Sequence, residues 1–389
     1  MIWINFLHIY QPPYQDKEVL KWVAKESYEY ILTVLEKNPD AKITLNITGC
    51  LTEQLLGNGL SEILERIKKL IQNEQIELVG SAKFHPILPL IPEKEIVRQI
   101  ELNNKINKEA FGDLYNPSGF FLPEMAYSDA VAKVIRDSGF KWIILDEISS
   151  PSRIKNKELS IKDDVKYFIK DIGLQVIFRD REISNTYVPV SIEEMLKSDK
   201  HDDQIVITAT DGELYGHHHK DFDNKLEKVL QSDKLQTLTV SEYINSLNEI
   251  EQIDLRNSSW ESTQEELDKD IPFALWKNPE NPLHEKLWQL ANIAIEAIEN
   301  NSEDPDLYWA QLHLDYGLAS CTFWWASAKK FHALGLESWN PEEINKGVNQ
   351  LLKSIRALKN LDNKIKIDAE YLAAEVKKDV WQTHWKRLN

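Results

Sequence analysis

The chain has 389 residues, 42% of them hydrophobic and 28% charged, which is the composition of a folded globular protein and excludes a disordered one. At the usual ~150 residues per domain this length allows two or three domains, or one large α/β barrel with an appendage. The net charge of −17 repels phosphate backbones and anionic lipid, and no apolar run approaches the ~18 residues of a membrane span, so neither nucleic acid nor membrane is expected as a partner.

Two cysteines, Cys50 and Cys321, are too few for a secreted disulfide framework. The N-terminus, MIWINFLHIYQPP, has no basic region and no signal-cleavage pattern, so a cytoplasmic protein with two buried thiols is expected. Aromatic residues are abundant, with 12 Trp, 13 Tyr and 12 Phe. Such a set serves either to stack sugar rings or to fill a large core, and composition alone favours the core.

Along the chain, short apolar runs alternate with helical patterns. Ile2–Ile9 reads as a strand, Lys17–Lys37 as a helix, Lys42–Thr48 as a strand, and Glu53–Gln75 as a helix broken near Gly57–Gly59. Ile76–Ala82 is strand-like, Glu93–Ala110 helical, Gly119–Glu124 a strand, Asp129–Ser138 a helix and Trp142–Asp146 a strand. Lys166–Lys170 and Leu174–Arg179 form a hairpin pattern, Ile192–Ser198 is helical, and Gln204–Thr210 and Leu235–Val240 are strand-like, the latter leading into a helix at Glu242–Leu247. Strands separated by helices imply parallel strands joined by crossovers, and six or seven units suit a closed or nearly closed (β/α) barrel. Leu255–Pro282 is irregular. Leu283–Asn300, Pro305–Leu334, Pro341–Leu361 and Ile367–Lys386 are long helical stretches. The expected organisation is a barrel over residues 1–250 and a linker with a C-terminal helical bundle over 251–389.

In a parallel barrel the catalytic groups sit just after the strands. Five segments then matter: His8, Tyr10 and Gln11 after the first strand; Lys83 and His85 after the third; Glu124 and Tyr127 after the fourth; Arg179–Asp180 after the hairpin; and Asp211 to His219 after Gln204–Thr210. Glu124 follows F-F-L-P, among apolar neighbours that can tune a carboxylate, although an acid there also suits a helix start. Asp211 precedes Gly212, and taken alone that pair reads more simply as a turn acid. Two carboxylates at one barrel mouth are what glycoside hydrolysis requires. The run His217–His219 is a poor metal site, because three consecutive side chains do not converge; His219 is expected to be exposed, and His217 or His218 to reach a sugar. Arg179–Asp180 reads most simply as a structural ion pair. Of Trp324 and Trp325, about 100° apart on a helix, one at most can face a cleft and the other should be core.

Five ordered motifs resemble the family 57 glycoside hydrolases. These are FLHIYQPP at Phe6–Pro13, GSAKFHPILPL at Gly80–Leu90, GFFLPEMAY at Gly119–Tyr127, TDGELYGHH at Thr210–His218 and ASCTFWW at Ala319–Trp325. The stretch Pro272–Trp288 is also similar to the family's entry into its helical domain. The resemblance implies a distorted (β/α)7 barrel followed by a C-terminal helical domain, and a retaining mechanism on α-glucans without metal or cofactor. It implies that Glu124 is the nucleophile, that Asp211 is the acid/base, and that His8 and His85 hold sugar hydroxyls. Gln11, Tyr127, His217, Trp260 and Trp324 are the further candidate substrate contacts. The chain departs from the family in carrying Tyr10 where the first motif usually has a second His, and Cys321 and Thr322 where the fifth often has Asp-Trp. Branching enzymes of the family are longer, which counts against branching. An amylase or amylopullulanase type is expected, with a 4-α-glucanotransferase, an α-galactosidase or a non-catalytic glycan-binding relative as alternatives.

Overall fold

Ile2–Ile9 (β1) is apolar at almost every position, with all but its first residue buried. A strand buried on both faces belongs inside a parallel sheet covered by helices. The computed structural model, which describes residues 1–151, 161–198, 204–329 and 338–387, bears this out. Parallel ladders join β1 to Ile43–Ile47 (β2), β2 to Ile76–Val79 (β3), Gly119–Phe120 (β4) to Trp142–Asp146 (β5), β5 to Gln175–Arg179 (β7), and Ile205–Asp211 (β8) back to β1. Two short joins complete the circuit. Gly80 N–H donates to Gly119 O at 2.9 Å and Phe121 N–H to Gly80 O at 2.8 Å, while Asp180 N–H donates to Ile207 O at 2.7 Å. The result is a seven-stranded parallel barrel in the order β1-β2-β3-β4-β5-β7-β8.

Three further strands distort it. Val165–Ile169 (β6) pairs antiparallel with β7, which is the expected hairpin, and Glu249–Ile253 (β10) extends β6. Gln236–Leu238 (β9) pairs with the first residues of β1. The sequence reading missed β10 because E-I-E-Q-I is exposed along nearly its whole length and carries no apolar face.

Several local expectations are corrected. The strand expected at Gly119–Glu124 stops at Phe120, because Pro123 has no N–H to donate and Glu124 and Met125 turn left-handed, with φ of 59° and 48°. The helix expected at Lys17–Lys37 contains a π-helical turn at Ala24–Tyr28. Arg179 does not pair with Asp180. Its Nε meets Asp146 Oδ2 at 2.8 Å, and Asp180 instead caps the helix Arg181–Ser184. The stretch Pro305–Leu334 breaks at Ala319 (ψ 135°) into Leu307–Leu318 and Ser320–Trp324, and its positions 330–334 lie outside the described residues. Trp324 and Trp325 are both half-buried, in edge-to-face contact at 4.5 Å; the core position belongs to Phe323. Cys50 is buried and Cys321 half-buried.

The chain divides into two compact units. The barrel unit comprises Met1–Gln11, Gln15–Lys83 and Leu88–Trp260; the second comprises Pro12–Tyr14, Phe84–Ile87 and Glu261–Asn389. In the second unit, the helix Pro341–Ala357 packs on Leu307–Leu318, Pro282–Asn300 and Asn363–Arg387. Gly347 admits the short helix Ser320–Trp324, since a Cβ there would lie 2.3 Å from Thr322 Cγ2. Trp288 stacks on Phe323 at 4.2 Å. No helix among the described residues is long and apolar enough to cross a membrane.

Candidate active site

The C-terminal ends of the barrel strands carry the polar residues singled out above. His8 is the penultimate residue of β1, and its register partner on β8 is Asp211. The imidazole is buried, and its Nδ1 lies 2.7 Å from Asn46 Oδ1 on β2. Asn46 directs its amide nitrogen at Gly80 O, so its oxygen faces His8 and the imidazole carries its proton on Nδ1. Burial lowers the His8 pKa to about 4 against the opposing pull of the Asn46 bond, so the ring is neutral at ordinary pH. It stacks on Phe121 at 4.4 Å and meets Trp260 edge-on at 6.4 Å.

Glu124 sits on the turn after β4. Two adjacent non-glycine residues in the left-handed region are costly, about 1–3 kcal/mol each, and persist only where neighbours over-determine them. Here Met125 N–H bonds Leu122 O and Ala126 N–H bonds Pro123 O. A strap of residues 258–260 also runs alongside, with Tyr127 N–H on Ser258 O at 2.8 Å, Ser258 N–H on Tyr127 O at 3.4 Å and Trp260 N–H on Glu124 O at 3.1 Å. The Trp260 indole Nε1–H donates to Glu124 Oε2 at 2.9 Å.

Asp211 ends β8 and begins the loop to Lys220, which the π-helical turn Ala24–Tyr28 grips with three consecutive side chains. Ser27 Oγ donates to Gly212 O at 2.8 Å, Tyr28 OH to Glu213 Oε1 at 2.5 Å, and Glu26 Oε2 meets His217 Nδ1 at 2.8 Å. The extra residue of a π turn rotates the following side chains, which is why such turns recur at functional sites. Lys220 and His217 hydrogen-bond Glu26 and pull its pKa down to about 2. Gly216 makes the close approach possible, because at its φ of +93° a Cβ would stand 2.1 Å from Glu26 O. Glu213 is buried and accepts from Tyr10 N–H and Gln11 Nε2–H as well as Tyr28; burial raises its pKa against those bonds, and raises that of Tyr28 well above the phenol range.

Among the other candidates, Gln11 is buried, donating to Glu213 and accepting from Gln15. Tyr127 has no exposed face and its hydroxyl donates to Asp129 at 2.5 Å, so it fixes the turn from below. His217 is half-buried with Trp22 edge-on at 4.8 Å; His219 is exposed as expected, its ring stacked on Tyr187 at 3.8 Å. Trp260 is 7% exposed. In the second unit, His85 is itself left-handed (φ 58°) and its Nδ1 lies 3.0 Å from Ser320 Oγ, so the second and fifth motifs meet directly. Trp324 is half-buried on the same short helix as Ser320.

Asn46, Asp146 and Tyr28 were not among the sequence candidates, and Glu213, within the segment Asp211 to His219, had been given no role. Asp146 follows W-I-I-L at the end of β5, and the strand-end rule that selected Glu124 selects it equally. Glu213 lies two residues from Asp211. Asn46 and Tyr28 carry no signal without knowing which strand and helix face the site.

A family model for glycosyl hydrolase family 57 matches residues 7–256. The chain belongs to that family. Among characterised relatives it is 26% identical over 261 residues to an alpha-amylase of Pyrococcus horikoshii, covering 62% of this chain and 40% of that protein. It is 24% identical over 262 residues to a 4-alpha-glucanotransferase of Thermococcus litoralis, covering 62% and 38%. The matched stretch thus spans about two fifths of each relative's length. By fold, it superposes on the crystal structure of the Thermococcus litoralis 4-alpha-glucanotransferase with a TM-score of 0.70 at 20% identity, over 92% of this chain and 60% of that one. A family 57 branching enzyme from Pyrococcus horikoshii gives a TM-score of 0.70 at 16% identity, over 96% and 94%.

Proposed function

We propose that this member of glycosyl hydrolase family 57 is a retaining glycosidase of α-glucans, with Glu124 as nucleophile and Asp211 as acid/base. The observation that carries the reading is a chain of contacts at one end of the barrel: Asp211 pairs in register with His8, the His8 ring packs against Phe121 and Trp260, and Trp260 donates to Glu124. The names of the matched relatives, alpha-amylase and 4-alpha-glucanotransferase, support the substrate class.

In the first step a Glu124 carboxylate oxygen bonds the anomeric carbon as the glycosidic C–O bond breaks. The electron pair leaves with the glycosidic oxygen, which takes the proton of Asp211. In the second, a water gives its proton to the Asp211 carboxylate and bonds the anomeric carbon. The ester C–O bond breaks, and its pair returns to Glu124. Neutral His8, held by Asn46, offers the sugar an uncharged imidazole edge. His85 and Trp324 are carried over by motif alone as substrate contacts.

Glu124→Gln and Asp211→Asn should each lower turnover of an α-glucan by more than a thousandfold while circular dichroism and unfolding midpoint stay near wild type. Turnover within tenfold of wild type in clean Glu124→Gln would defeat the assignment. Hydrolysis and transfer are separated by the acceptor in the second step: maltoheptaose alone should give only shorter chains for a hydrolase, and both longer and shorter chains for a 4-α-glucanotransferase. New α-1,6 linkages would indicate branching, and galactose released from an α-galactoside would indicate an α-galactosidase. Tight glucan binding without product would mark a non-catalytic relative.

A further inference from the structure

Trp260 is held from four sides within the barrel unit. Its backbone N–H bonds Glu124 O at 3.1 Å, its carbonyl accepts from Arg181 Nη1 at 2.9 Å, and its indole N–H donates to Glu124 Oε2 at 2.9 Å. The Arg179 guanidinium lies over its ring, 5.2 Å from the centroid. Both arginines are anchored on one carboxylate, Asp146, at 2.8 and 2.9 Å, and Asp146 and Arg179 are almost wholly buried. Arg179 is fixed further by Ala209 O at 2.8 Å and Asn185 Oδ1 at 3.2 Å.

This network does more than fill space. A guanidinium over an indole face draws electron density toward itself, which makes the N–H on the ring edge a stronger donor. That N–H points at a carboxylate oxygen of the glutamate read above as nucleophile.

We propose that Trp260 is a positioning residue for Glu124, acting through its indole N–H, with Arg179 as the cation that fixes and polarises the ring. The inference rests on the reading of Glu124 as nucleophile. Its consequence follows from where charge sits on the carboxylate. The charge disappears when the glycosyl ester forms and returns when water breaks it. A donor on the carboxylate therefore helps Glu124 to leave and slightly weakens it as an attacking group. Removing the donor slows breakdown of the ester and leaves its formation nearly unchanged.

The test uses the full chain and a 4-nitrophenyl α-maltooligoside, whose good leaving group makes the second step limiting. Three variants are compared with wild type: Trp260→Phe, Arg179→Lys, and Trp260 replaced by benzothienylalanine, which keeps the bicyclic shape and substitutes sulfur for N–H. In both position-260 variants kcat should fall roughly tenfold, the usual scale of one hydrogen bond to a charged group, with KM falling in proportion so that kcat/KM stays within about threefold. Acid-quenched enzyme should carry a glycosyl adduct on Glu124 by intact and peptide mass. Arg179→Lys should show the same pattern, weaker. If Trp260→Phe does not fold, the sulfur isostere decides alone. Unchanged kcat and KM in the isostere would overturn the inference, and so would a raised KM with lowered kcat/KM, which marks a ring that contacts sugar. Failure of the underlying reading looks different: Glu124→Ala would then give no β-glycosyl azide when azide is supplied, whatever the position-260 variants do.

Discussion

His8 illustrates how a single residue's chemistry is decided by what surrounds it. The same imidazole on a surface would titrate near 6.5; in the barrel mouth burial lowers its pKa to about 4. The unfolded chain therefore binds a proton at His8 that the folded protein does not, between about pH 6.5 and 4. Stability from this group is complete above the unfolded pKa and is lost as pH falls toward the folded one. Between pH 7 and 4 the wild type should lose roughly 3 kcal/mol more unfolding free energy than His8→Gln, measured by urea titration at each pH. Equal losses would mean that His8 takes up its proton in the fold at the same pH as in the unfolded chain, and would overturn its burial as a neutral ring. Glu124 is a second residue-scale case. Its position after F-F-L-P marked it in the sequence, but its left-handed backbone and the indole N–H on its carboxylate are products of the strap at residues 258–260, more than a hundred positions away.

At the scale of elements, the loop from Asp211 to Lys220 depends on the π turn at Ala24–Tyr28. The helical pattern over Lys17–Lys37 was legible, because its apolar positions follow the helical period. The one-residue bulge was not, since it leaves composition and period almost untouched and shows only in which side chains reach Gly212, Glu213 and His217. Gly216 gives a direct test. Its positive φ and the 2.1 Å separation that a Cβ would have from Glu26 O mean that Gly216→Ala must push the loop off the turn. A loss of roughly 2–3 kcal/mol by urea unfolding is expected. Activity on an α-glucan should fall at least tenfold even where the variant is fully folded. A fully active, equally stable variant would show that the loop is not held by this contact. Strands were easier to place than their ends: Trp142–Asp146 matched residue for residue, whereas β4 lost four residues to a turn that no local pattern announces.

Across the whole molecule, the net charge of −17 sets how the protein meets its surroundings and leaves the proposed chemistry alone. An α-glucan is neutral, so long-range attraction contributes nothing to its capture. Between 50 and 500 mM NaCl, kcat/KM on a neutral maltooligosaccharide should change by less than twofold. A steep fall with salt would point to a charged substrate and against the α-glucan reading.

The sequence by itself determined the alternation of strands and helices, the change to helices in the last third, and five ordered motifs that identify the family. These are local or ordinal properties, written in the period of apolar residues and in the order of short words. Only the tertiary structure decided which strands meet to close the ring, through Gly80 with Gly119 and Asp180 with Ile207. It also decided that Arg179 answers Asp146 and lies over Trp260, and that Glu213 gathers Tyr10, Gln11 and Tyr28. Those pairings join residues tens to hundreds of positions apart. They are selected by the burial of charge and the packing of whole elements, and neither leaves a trace at the level of neighbouring letters.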